Sequence, residues 1–372
     1  MKKYGEIEAF MQRIFRAGLL VLLLWGVSAR AQEAAPRIIF VSERDGQREI
    51  YAVNADGTDL QNLTRDPAAD VYPQWRSGGA EILFYSNRSG VWASYLMDAD
   101  GANVRFIAAT DTPLRAVPVP APDGRSSAYR ARVGTFWRLH VTNGDTTRLL
   151  TSPGADDGPF SWSPDSRALA FERSGEIYVT RLDGTLPPVN LTLSAAYDSQ
   201  PAWSPAGTQI AYVSNWEIFL MDAADGRAPY NLTQNAAYDV APAWSPDAQQ
   251  IAFASFRDGN WEIYAMQSDG CAVRRLTNDN GWDGLPQWQP QPAAAFSPVE
   301  RPATAVVTTA SANLRSGPGE NHPVVASAAQ RACLTILAPS SDGAWLQVQY
   351  ENMTVWISVS VVEIVGHLPP PR

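Results

Sequence analysis

The sequence predicts an all-β fold, a six-bladed β-propeller with a small β-barrel behind it. Three observations predict it. A proline recurs at Pro73, Pro118, Pro159, Pro201, Pro242 and Pro286, at intervals of 45, 41, 42, 41 and 44 residues, and a period of about 40–45 residues is that of a four-stranded propeller blade. Each interval holds short apolar runs separated by turn residues, as strands and hairpins require. After residue 290 the repeat stops, and a proline-rich stretch leads into a segment with a different pattern.

The unit from Pro242 shows the elements in order. Pro242-Ala-Trp244 starts a strand, and Ser245-Pro-Asp-Ala248 turns it, because proline presets φ at the second turn position and aspartate suits the third. Ile251–Ser255 is the second strand, Arg257–Asn260 a turn, and Glu262–Met266 the third strand. Ser268-Asp-Gly270 makes a hairpin, since glycine accepts positive φ, and Val273–Thr277 is the fourth strand. The units from Pro159 and Pro201 repeat this closely, with Trp162 and Trp203 and with Asn190-Leu-Thr192 and Asn231-Leu-Thr233. The unit from Pro73 keeps Trp75 but turns on Arg76-Ser-Gly-Gly79; the unit from Pro118 is the most eroded.

The two ends complete each other. Ile38–Val41, Glu49–Tyr51 and Asn62-Leu-Thr64 make a unit that lacks its first strand, and Pro286-Gln-Trp288 is a first strand alone. Joined, they give a sixth blade closed from both ends, which removes an open junction from the ring.

The recurring strings Pro-x-Trp-Ser-Pro-Asp, Glu-Ile-Tyr and Leu-Thr resemble the TolB-type propeller, also called the WD40-like or PD40 repeat, over residues 37–290. The prolines of 291–303 predict an extended, semi-rigid linker. Residues 304–366 alternate apolar runs and turns. Asn313-Leu-Arg-Ser-Gly-Pro-Gly319, Gly343-Ala-Trp345 and Val355-Trp356 resemble the bacterial SH3 domain, a small β-barrel. That resemblance implies binding to cell-wall material or to peptides. The aromatic candidates for such a ligand are Trp345, Tyr350 and Trp356.

Ala17–Val27 is apolar over about eleven residues, too short for a bilayer span and the right length for a signal-peptide core. Ala29-Arg-Ala31 supplies a cleavage site, so residues 1–31 read as a signal peptide, with Met11 as a second candidate start and an uncleaved anchor as the alternative. The chain is therefore expected to be exported, to the periplasm or beyond, with no stable membrane span after cleavage. The net charge is −9; residues 1–31 carry five basic and two acidic side chains, which leaves −12 on the remainder. An acidic surface without a basic cluster argues against nucleic acid as a partner. Cys271 and Cys333 fall in different modules, and two separate buried thiols are favoured over a disulfide between the modules.

Catalytic chemistry is thinly represented. Three histidines, His140, His322 and His367, have no metal-ligand spacing, and no Gly-x-Ser-x-Gly elbow occurs. No cofactor and no metal are expected. Asn54-Ala-Asp-Gly57 and Asp98-Ala-Asp-Gly101 read as hairpin turns, since neither carries the twelve-residue ligand set of a calcium loop. One repeated feature is a candidate site. An aspartate stands three residues before the repeat proline at Asp70, Asp198, Asp239 and Asp283 and two before it at Asp157, preceded by Tyr197, Tyr238 and Trp282 in three units. In a ring these positions form a circle on one face. They would make a negative collar with aromatic neighbours, suited to a cationic peptide or a cation at the channel mouth, or else each aspartate caps its own turn. The functional expectation is a non-enzymatic binding protein engaging an envelope protein or peptide, with peptidoglycan a candidate ligand of the barrel. The alternative is a polysaccharide hydrolase or lyase using the collar carboxylates.

Overall fold

The computed structural model describes residues 36–109, 117–152, 154–184, 186–291 and 303–365. The signal segment (1–31), His367 and all but the ends of the 291–303 linker lie outside the described residues. Pro36–Arg372 forms one compact unit. Among the described residues no helix is long and apolar enough to cross a membrane.

Six four-stranded antiparallel sheets follow one another around a ring. The first blade takes its inner strand from the far end of the propeller: Asp283–Trp288 pairs with Arg37–Ser42, which pairs with Glu49–Asn54 and then Gln61–Asn62. Ile38 lies opposite Trp288 and Ser42 opposite Asp283, and Gln289 N–H donates to the Arg37 carbonyl at 2.8 Å. The expected closure from both ends is what the chain forms. The inner strands of the other blades are Asp70–Arg76, Val119–Pro120, Asp157–Trp162, Asp198–Trp203 and Asp239–Trp244.

The repeat proline does not open the inner strand, as its position suggested. In five blades the strand begins at the preceding aspartate, and in three of them the proline sits within a bulge where the register shifts, between Val71 and Gln74, Ser199 and Ala202, and Val240 and Ala243. Proline has no N–H to give a ladder, so a bulge is where a strand can hold one. The residue before it takes a left-handed backbone in four blades: Tyr72, Gln200, Ala241 and Leu285, at φ 51–57°.

The repeated motifs meet across blade boundaries. The indole N–H of Trp162, Trp244 and Trp288 donates to the carbonyl of Val119, Ala202 and Ala243 in the previous inner strand, each at 3.0 Å. Asn231 Oδ1 accepts the N–H groups of Thr233 and Gln234, and Thr233 Oγ1 accepts from Ile218 N–H. The Asn-Leu-Thr strings are thus turn-forming elements of the blade. Gly270, at φ 83°, stands so close to the Leu232 carbonyl of the previous blade that a Cβ would lie 2.7 Å from it. Hairpin glycine and Asn-Leu-Thr string are therefore fitted to each other. Apolar clusters fill the junctions: Phe40 and Val53 pack with Ile263 and Ala265 across the sixth and first blades, and Ile218 and Leu220 with Phe253 and Tyr264 across the fifth and sixth.

Residues 304–365 form a seven-stranded sheet with its own core of Leu314, Ile336, Leu346, Val348, Val355 and Ile357. Val355, which stands where a glycine is usual in bacterial SH3 domains, lies within the strand Met353–Ser358 and is buried in that core. The barrel is held against the propeller. Cys271 and Cys333 are joined in a disulfide, which corrects the expectation of two separate thiols. Thr304 Oγ1 donates to Asp269 at 2.8 Å, and the Arg331 guanidinium donates to the carbonyls of Thr233 and Gln234 in the fifth blade. The two cysteines are 62 residues apart in sequence, so only the docked barrel brings them together.

Candidate functional site

The carboxylates of the expected collar do not face outward. Asp70, Asp239 and Asp283 are fully buried, and Asp157 and Asp198 are 1% exposed. Four of them are bound to arginine: Arg44 to Asp283 at 2.7 Å, Arg88 to Asp70 at 2.9 Å, Arg257 to Asp239 at 3.2 Å, and Arg173 Nε to Asp157 at 2.8 Å. Each guanidinium lies over an aromatic pair of its own blade, 4.6–5.8 Å from the rings of Phe40 and Tyr51, 5.1 Å from those of Phe84 and Tyr95, 5.2 and 6.0 Å from Phe171 and Tyr178, and 5.3 and 4.6 Å from Phe253 and Tyr264. Hydroxyls of Ser42 and Thr277 add hydrogen bonds to Asp283, and those of Ser255 and Thr233 to Asp239. Each set ties the outer strand of one blade to the inner strand and second hairpin of the next. The aspartates are therefore latches of the ring, and the collar geometry is corrected. The hydrolase reading loses its exposed carboxylates with it.

The arginines were the missed half of this pattern, and their signal is in the sequence. In Ser42-Glu-Arg44, Ser86-Asn-Arg88 and Ser255-Phe-Arg257 the serine ends a second strand and the arginine sits in the turn, two residues before its glycine. Burial dominates the electrostatics. It raises the Asp283 carboxyl to about 6 against the pull of Ser42 and Arg44, and it raises Asp70 and Asp239 as well.

The channel at the ring axis is a cavity of about 460 Å³ lined by the inner strands, among them Gln74, Pro201, Pro242 and Gln287. Among the described residues no acid lines it, and Arg130 is the one charged residue of its lining. Glu262, Asp279 and Asp283 bring carboxylate oxygens within 4.8 Å of one another. Arg44 bridges the two aspartates and Arg275 binds Glu262 at 2.7 Å, so this cluster already holds its counter-charges.

Of the collar aromatics, Tyr197 and Tyr238 reach solvent, while Trp282 is half-buried. The loops between blades and the hairpins between second and third strands share one face, because alternating strands run in opposite directions. Tyr197, Trp216 and Tyr238 on that face are 61%, 57% and 51% exposed. Trp216 packs on Tyr238 at 5.2 Å, Phe256 on Trp261 at 5.6 Å, and Arg48 lies 5.7 Å over Trp282. Tyr197 donates its hydroxyl to Glu172 at 2.7 Å, which with burial pushes its pKa up to about 12. His140 is remote from this face, within the strand Phe136–Asn143 and stacked on Tyr129. In the barrel, Trp345 and Trp356 lie diagonally on the outer side of paired strands, with Gln347 opposite Trp356. Tyr350 packs against the core on the other side, so the three do not form one cluster.

Comparison with known proteins agrees with this architecture. The family described as TolB beta propeller domain matches residues 32–176 and 214–313, more than half of the chain, and the bacterial SH3 domain matches 310–363. The chain is similar to the Tol-Pal system protein TolB of Bordetella pertussis, 27% identical over 40% of this chain and 35% of that one. It is similar to Tricorn protease homolog 1 of Streptomyces coelicolor, 30% identical over 32% of this chain and 12% of that one. The chain thus spans only 12–35% of the length of these curated relatives. The crystal structure of TolB from Acinetobacter baumannii superposes with a TM-score of 0.59 at 21% identity, over 69% of this chain and 67% of that one, a likeness of fold. Taken with the six closed blades and the barrel behind them, these matches show that the chain belongs to the TolB beta propeller domain family and carries a C-terminal bacterial SH3 domain.

Proposed function

We propose that this is an exported, non-enzymatic binding protein of the cell envelope. Its propeller engages a protein or peptide through the face that carries Tyr197, Trp216, Tyr238 and Trp282, and its barrel docks to the wall or to a second partner through Trp345 and Trp356. The observation that carries the proposal is the division of labour on that face: all five acids are buried, four of them in arginine pairs, while Tyr197, Trp216 and Tyr238 stand out into solvent. Exposed tyrosine and tryptophan are the side chains that anchor protein interfaces. The disulfide supports an oxidising compartment, periplasmic or extracellular. The relatives named Tol-Pal system protein TolB support an envelope setting.

Barrel and propeller form one unit, so two ligands would be held at a fixed separation rather than on a flexible tether. The test uses the full chain without residues 1–31. It is incubated with purified peptidoglycan and with an envelope extract of its own host. Trp345→Ala with Trp356→Ala should abolish sedimentation with peptidoglycan, and Tyr197→Ala with Tyr238→Ala should abolish capture of the protein partner, both with unchanged melting temperature. Undiminished binding by both double variants contradicts the proposal.

A further inference from the structure

Among the described residues, one latch of the ring, that of Asp198, holds no arginine. The chain supplies the arginine in one of two ways. In long hairpins it stands two residues beyond a serine, as in Ser42 and Arg44, Ser86 and Arg88, Ser255 and Arg257. In the two-residue hairpin of the fourth blade it stands directly opposite the aspartate, as Arg173 opposite Asp157. The fifth blade has the short hairpin, Asn215-Trp216, but places Ser214 opposite Asp198. Neither solution is present. Trp216, two residues beyond the serine, is turned out to solvent against Tyr238.

The rest of the latch keeps its buried acid and an aromatic pair. Asp198 is 1% exposed; its Oδ2 accepts from Ser194 Oγ at 2.9 Å, and its Oδ1 has no hydrogen-bond partner. Tyr212 and Phe219 pair at 5.9 Å, against 5.8–5.9 Å for the rings beneath the other four guanidinium groups, with tyrosine and phenylalanine exchanged between the second and third strands. A buried carboxylate with a free oxygen is costly, and an arriving cation relieves that cost. Beside it lies a cavity of about 330 Å³, lined by Tyr197 and Ser199, the chain neighbours of Asp198, together with Glu172, Asn215 and Trp216; Asp198 and Tyr212 stand outside this lining, so an incoming side chain must part it to reach them.

We propose that the wedge between the fourth and fifth blades is a receptor for an arginine side chain of the partner peptide, which supplies from outside the guanidinium that four other latches hold from within. The four filled latches set the chemistry. A planar guanidinium forks onto a carboxylate and stacks on an aromatic pair, whereas an ammonium does only the first, and as a point charge. The proposal rests on reading this face as the partner surface and adds to it the side chain that is recognised.

The test uses the full chain without residues 1–31 and the peptides acetyl-Gly-Arg-Gly-amide, its lysine counterpart and its citrulline counterpart, titrated by calorimetry. The arginine peptide should bind saturably and at least about tenfold more tightly than the other two. Ser214→Arg, which copies the fourth blade, should raise the melting temperature and abolish peptide binding. Asp198→Asn should abolish binding while the protein stays folded, and it decides the matter should Ser214→Arg fail to fold. No saturable binding of the arginine peptide, equal binding of the lysine peptide, or unchanged binding by the variants overturns the proposal. Absent peptide binding together with partner capture that still depends on Tyr197 and Tyr238 overturns the arginine assignment alone. Loss of both takes the partner surface with it.

Discussion

Asp239 shows what a single side chain does in this ring. It is fully buried, accepts from Arg257 and carries hydroxyl hydrogen bonds from Ser255 and Thr233. Removing the cation leaves a buried carboxylate unpaired, so Arg257→Ala should lose about 3–5 kcal/mol of stability in urea denaturation. A loss under about 1 kcal/mol would place the pair among ordinary surface salt bridges. Asp283 adds a pH signature. Its folded pKa, about 6, is raised above the unfolded value of 3.8 by burial, so the native state binds more protons than the unfolded state between those values. The contribution is complete below about pH 4 and is lost as pH rises through about 6. The stability advantage of the wild type over Asp283→Asn should therefore shrink from pH 4 to pH 7; an advantage that grows over that range would reverse the sign. The aspartates stood out in the sequence because they recur in nearly constant register. Their burial did not, because an acid before a proline reads equally as a surface turn. The arginine that encloses Asp239 lies 18 residues away, across a hairpin whose length varies between blades.

At the scale of elements, what recurs in the sequence is what joins one blade to the next. Tryptophan, hairpin glycine and Asn-Leu-Thr each complete a contact with a neighbouring blade, which is why they were legible as a repeat before any pairing was known. Trp244→Phe keeps the apolar bulk but strands the Ala202 carbonyl, and should cost about 1–3 kcal/mol. An unchanged urea midpoint would show that the indole N–H is replaceable. The eroded unit from Pro118 also had a physical counterpart. The outer strand of the third blade, Thr146–Leu149, is exposed along its whole length, and so is that of the second blade before it, Arg105–Ala109, whereas the second strand of the sixth blade is buried over Ile251–Ser255. Amide hydrogen exchange should be faster in Arg105–Ala109 by orders of magnitude; equal protection would mean that the second blade is as well supported as the sixth. Strand limits were the least legible feature, since in five of the six blades the inner strand's start lies back at the aspartate.

Across the whole molecule, the count of blades and the closure from two chain ends followed from the sequence, because a unit missing its first strand and a lone first strand can be matched by pattern. The docking of the barrel did not follow. Cys271 and Cys333 meet through the placement of two separately folded sheets, and no local pattern encodes that. The disulfide, Arg331 and Thr304 make propeller and barrel one body, and Cys271→Ser with Cys333→Ser should lower stability by about 2–4 kcal/mol. The aromatic face, the latches and the empty fifth receptor all depend on the ring being closed by Asp283–Trp288. The most direct measurement compares two chains that both lack the barrel, one ending at Gln291 and one at Asp283. The chain ending at Gln291 should melt as a cooperative unit and the one ending at Asp283 far below it. Equal melting temperatures would contradict the closure, and with it the placement of every residue assigned here to the binding face.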